Sequence, residues 1–108
     1  MPSVKKLLIN SLKAAQQVME EGEEIPLVNI EDSSNKGYEV ATYLTKGKIG
    51  CIRLPKKDST GTYTIDERTS FSELGYEEFA QGVIALGKEL QVANMLSQYS
   101  AAKRMGRT

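Results

Sequence analysis

From Tyr76 to about Arg104 the chain runs in a helical pattern without a proline, and this constrains the fold more than any other feature. About 29 residues at roughly 1.5 Å each would make a rod of ~43 Å. A chain of 108 residues folds to a radius of gyration of about 13 Å and a diameter of ~33 Å. Such a helix should overhang its own domain unless Gly82 or Gly87 kinks it. Tyr76, Phe79, Val83, Leu86, Leu90 and Ala93 recur as a heptad seam. Ala80, Ile84, Gly87 and Met95 flank that seam, while Ala85, Val92, Leu96 and Tyr99 fall on the far side. One sheet face cannot bury all of these, so the pattern predicts a homodimer or higher oligomer. The interface residues expected are Val83, Leu86, Gly87, Leu90, Met95 and Leu96.

The remainder reads as one helix and a small sheet. Val4, Leu7, Leu8, Leu12, Ala15, Val18 and Met19 follow helical spacing over residues 3–21, with Ser3 to cap the start and Gly22 to close the end. The charges oppose the helix dipole. Lys5 and Lys6 sit at its positive end, and Glu20, Glu21, Glu23 and Glu24 at its negative end. Strands are expected at Ile25–Ile30 (an edge, because of Pro26), Tyr38–Thr45, Ile49–Leu54 and Thr62–Asp66. Lys46-Gly47-Lys48 makes a tight turn, and 55–61 a hairpin loop. Ser70 with Glu73 fits a capping box leading into the last helix. The fold class is α+β in a single domain: N-terminal helix, antiparallel meander of three or four strands, long C-terminal helix.

Composition narrows the function. Lys+Arg and Asp+Glu are 14 each, His and Trp are absent, and Cys occurs once. Without histidine there is no His-dependent acid–base chemistry or triad, and no zinc site of the usual His/Cys kind. Cys51, without a His partner, reads as a small packed side chain. No carboxylate pair has the contrasting environments that acid–base work needs. The reading is therefore of a non-enzymatic protein with no cofactor and no metal. No apolar run approaches the roughly 18 residues of a membrane span, and the N-terminus lacks the pattern of a signal peptide. A cytoplasmic protein is expected.

The zero net charge conceals alternating blocks. Residues 1–19 carry +3, residues 20–32 carry −6, residues 33–57 carry +5, residues 58–89 carry −5 and residues 90–108 carry +3. Basic blocks on the hairpins and on the last helix can bind phosphates even when the whole is neutral. Arg53, with Tyr43 expected on the same sheet face, suits a phosphate or an aromatic base. On the last helix the seam turns polar through Ser97 and Ala101 to Arg104, beside Asn94. That stripe could line a pocket in which Asn94 reads an amide- or base-like group and Arg104 holds a phosphate, with Lys103 and Arg107 adding charge.

An α+β chain without catalytic residues, oligomeric through its C-terminal helix, resembles the phage-encoded nucleotide sponges that block Thoeris signalling. The resemblance lies in layout and residue types. It implies capture of a nucleotide signal at a subunit interface by aromatic, Asn and Arg side chains, with Arg53, Phe79, Asn94 and Arg104 as counterparts. Two other readings stand beside it: single-stranded nucleic-acid binding by the basic hairpins, and a protein inhibitor or adaptor that docks its acidic helix end.

Overall fold

A computed structural model describes residues 3–31, 38–55, 59–62 and 70–106. Helix α1 (Val4–Val18) comes first, then short strands β1 (Ile25–Pro26) and β2 (Ile30–Glu31). Strands β3 (Tyr38–Leu44), β4 (Ile49–Pro55) and β5 (Ser70–Leu74) follow, then helices α2 (Tyr76–Ala85) and α3 (Glu89–Arg104). The α+β class and the antiparallel meander are as the sequence predicts.

The sheet runs β1-β3-β4-β5, with β2 also on β3. The expected strand Ile25–Ile30 is interrupted. Ile25 and Pro26 face Leu44 and Tyr43, while Ile30 and Glu31 face Val40 and Glu39. Pro26 has no N–H to give the ladder. The Leu27 N–H and the Thr42 hydroxyl bridge the gap, to Thr42 O at 2.9 Å and Val28 O at 2.6 Å. Ser70 and Glu73 do not form a capping box: their segment is β5, paired with β4, and Gly75 is the N-cap of α2. Of the expected strand Thr62–Asp66, residues 63–66 lie outside the described residues.

Ser3 caps α1 by accepting from the Lys6 N–H at 3.1 Å. One core joins the layers. Leu8, Leu12 and Ala15 of α1, Phe79, Ala80 and Val83 of α2, and Val92 and Leu96 of α3 are buried against Val40, Leu44, Ile49, Cys51 and Leu74 of the sheet.

The C-terminal segment is helical as expected but broken into two helices. Gly87 has φ +70°, a left-handed conformation that costs glycine nothing. Its N–H bonds to Ile84 O at 2.9 Å, and the Lys88 N–H bonds to Val83 O at 3.1 Å. These are the two bonds of a Schellman stop. The break turns the second segment so that Val92, Leu96 and Ser100 face inward. At 16 residues, α3 is ~24 Å long. The extents are 42 × 33 × 23 Å, so there is no overhang and the length argument for self-association falls away.

The adverse charge pattern of α1 is answered from elsewhere in the fold. The Lys46 ammonium donates to Met19 O at 2.8 Å and to Gln16 O at 3.4 Å, covering carbonyls at the negative end. Glu23 accepts from the Glu20 N–H at 3.1 Å and pairs with Lys103 of α3 at 3.3 Å. At the other end Lys5 lies 3.8 Å from Glu77.

The buried Gln16 links three elements. Its amide N–H donates to Thr45 O at 3.1 Å, and its amide oxygen accepts from the Tyr76 hydroxyl at 2.6 Å. Gln16→Ala is expected to cost on the order of 2 kcal/mol, because it strands those partners. Urea unfolding monitored by circular dichroism checks this.

The Glu20 N–H, then Tyr99 and Lys103, hold the Glu23 carboxyl below its ordinary 4.5. A depressed folded-state pKa gives stability that is present above the unfolded value and lost as pH falls through the folded one. The melting-temperature gap between wild type and Glu23→Gln should therefore be open at pH 7 and close as pH falls below about 4. A gap that stays constant in a thermal melt series would contradict this.

Candidate functional site

Arg53 and Tyr43 lie on opposite faces of the sheet. Directly opposed residues of an antiparallel pair share a face, and Val40 opposes Arg53 while Tyr43 opposes Gly50. Arg53 therefore projects on the helix-covered face with Val40, Thr42 and Cys51. Its guanidinium donates to Ser72 Oγ at 2.8 Å, and that oxygen is 3.0 Å from Cys51 Sγ. The expected Arg53–Tyr43 pair is thus corrected. Four residues, Thr45–Lys48, separate Leu44 from Ile49 in the hairpin. That register puts even positions of β3 on the face of odd positions of β4.

Tyr43 instead lies over Gly50 on the outer face. A Cβ at position 50 would run into the Tyr43 ring. Around them Ala41, Ile52 and Leu54 are half-buried, and Glu39 and Glu73 supply the charge on this face. Lysine and arginine are absent from this face among the described residues. Lys46 is committed to the end of α1. Lys36, Lys56 and Lys57 lie outside the described residues.

Phe79 is fully buried in the core. It has no surface to stack on a ligand, which corrects its expected ligand role. Val83 and Leu96, expected at an oligomer interface, are likewise fully buried within one chain. The break at Gly87 is the reason, since it splits the heptad seam into two stripes that both find the core. Gly87 itself is the stop residue. Met95 is half-buried and packs on the core. Leu86 and Leu90 remain exposed, at 42% and 76%.

Asn94 and Arg104 are both exposed on α3, and neither makes a hydrogen bond or ion pair among the described residues. Ten residues apart, they are separated by ~15 Å along the helix. Arg107 lies outside the described residues. Lys103 is engaged with Glu23 and lies 5.8 Å from the centre of the Tyr99 ring. The Tyr99 hydroxyl is buried with no well-formed hydrogen bond among the described residues. Burial, then the adjacent Glu23 and Glu20, push its ionisation well up. This cluster ties α3 to the turn after α1.

The exposed residues of α3 form one continuous face. At ~100° per residue, Leu90, Asn94, Ser97, Gln98, Ala101 and Met105 lie within about 50° of a line between Ser97 and Gln98. Gln91 and Arg104 flank that line at about 70°, and all eight residues are exposed. Gln98 and Met105 escape the sequence reading, because a seam drawn straight through Gly87 has the wrong phase beyond it.

Among the described residues there is no group of three or more acidic or cysteine side chains able to hold a metal ion. Nor is any of their helices long and apolar enough to cross a membrane.

Gly50→Ala should displace the Tyr43 ring and cost about 1 kcal/mol of packing. The double variant with Tyr43→Ala should cost less than the sum of the two singles, a coupling that a double-mutant cycle in chemical denaturation measures. No family model, curated protein or solved structure matches the chain.

Proposed function

We propose that this is a non-enzymatic binding protein that captures a phosphate-bearing small ligand, a nucleotide-type signal, on the outward face of α3. The observation that carries the reading is the pairing of an amide and a guanidinium, Asn94 and Arg104, on one exposed stripe. Neither is committed to the fold. Ser97 and Ala101 between them are small, leaving room for a ligand to lie along the helix. A guanidinium forms two parallel bonds to a phosphate, and a carboxamide matches the donor–acceptor edge of a base. The absence of histidine from the whole sequence fits retention rather than turnover. On the resemblance in residue types to phage sponges, this reading makes the protein a cytoplasmic anti-defence sponge that acts as a homo-oligomer.

Isothermal titration calorimetry against cyclic ADP-ribose-type nucleotides and cyclic oligonucleotides tests this. Wild type should bind at least one of them. Asn94→Ala and Arg104→Ala should each weaken binding roughly tenfold or more, as expected for one lost charge-assisted or amide contact, with melting temperature unchanged. Absence of binding across the panel would overturn the reading.

A further inference from the structure

We infer that the outer face of the sheet docks one basic, amphipathic helix of a protein partner. The three helices bury their apolar sides against the other face of the sheet, so this surface stands apart from the stripe of α3. Its apolar part is Ala41, Ile52 and Leu54, with the Tyr43 ring laid over Gly50. Its charge is that of Glu39 and Glu73. Glu73 is exposed. Glu39 accepts from the Asn29 amide at 3.4 Å, and a carboxylate has sites for further donors.

The strand register fixes where the two carboxylates stand. Glu39 opposes Leu54, Ala41 opposes Ile52, and Gly50 opposes both Tyr43 and Glu73. Glu39 and Glu73 are therefore two strand spacings and about four residues of strand apart, a diagonal of ~17 Å. Ile52 lies at its midpoint, with Tyr43 on one side and Leu54 on the other. A complementary segment carries a cation at each end of that diagonal and apolar side chains between them. An α-helix covers ~17 Å in about 11 residues, and its positions i, i+4, i+7 and i+11 share one face. An extended strand covers it in about five residues, an odd number, which turns the two cations to opposite sides. The occupant is accordingly a helix with Lys or Arg at i and i+11 and apolar residues at i+4 and i+7.

Extent and charge favour a single helix over a second copy of this chain. The path β1-β3-β4-β5 across and the seven residues of β3 along enclose at most about 14 by 24 Å, on the order of 340 Å². A stable dimer needs about 800 Å² from each partner. A second copy laid face to face would also bring Glu39 and Glu73 of both copies together, like charges that repel.

Fluorescence anisotropy of a labelled synthetic helix tests this, with lysine at i and i+11, leucine at i+4 and i+7, and alanine and glutamine elsewhere. The wild-type chain should bind it in the micromolar range, less tightly as salt rises. Replacing the two leucines by glutamine should abolish binding. Glu39→Lys and Glu73→Lys should each weaken binding about tenfold or more, with an unchanged circular dichroism spectrum. The double variant should instead take up the same helix with glutamate in place of its lysines, which also shows that the variant is folded. No binding by wild type, or binding indifferent to both charge reversals, overturns the inference. So does a sedimentation coefficient that changes on Glu39→Lys without the synthetic helix present, which would assign the face to a second copy.

Discussion

The fold is held in register by a buried amide. Gln16 faces inward from the last turns of α1, among leucines and a core alanine, where an unsatisfied carboxamide would be costly. Both ends are satisfied by different parts of the chain: the β3–β4 turn through Thr45 O, and the start of α2 through the Tyr76 hydroxyl. The same helix end is closed by Lys46 from that turn. The end of α1, the hairpin and the start of α2 therefore fix one another. The apolar core contributes most of the burial but is non-directional. The hydrogen-bonded hub decides where along α1 the hairpin and α2 must sit.

The electrostatics follow the same logic. Read alone, α1 is charged against its own dipole. In the folded chain Lys46 and Lys103 reach its acidic end, and Glu77 lies beside Lys5. Part of each basic block in the sequence is thereby consumed in holding the structure. Arg53, too, is spent on Ser72 beneath the helices. Among the described residues, the outward face of α3 keeps Arg104 exposed, and the charge on the outer sheet face is acidic.

Several elements were legible because their signals are local. Ser3 as a cap, the amphipathic spacing of α1, and the strands at Tyr38–Leu44 and Ile49–Pro55 depend on residues close in sequence. The break at Gly87 was legible as a possibility, since only glycine enters the left-handed region freely. Strand β5 was not. Ser70-Phe71-Ser72-Glu73 carries a capping pattern and becomes β5 because β4 offers it an open edge. The candidate site was partly legible. Asn94 and Arg104 do share an exposed stripe, whereas Phe79 entered the site through the family resemblance alone, and its place on the apolar seam already pointed to the core where it lies.

The sequence by itself determined the types of α1, β3, β4 and the helical C-terminal segment, the absence of histidine chemistry and the stripe that Asn94 and Arg104 share, because these depend on residue identity and short-range periodicity. Only the tertiary structure decided which face each residue shows. The four residues of the hairpin turn put Arg53 under the helices and Tyr43 on the outside. The Schellman stop at Gly87 rotated α3 so that Val92 and Leu96 point inward while Leu90 and Met105 are left in solvent. Register and helix phase are set by contacts between segments distant in the chain, and no local pattern carries them.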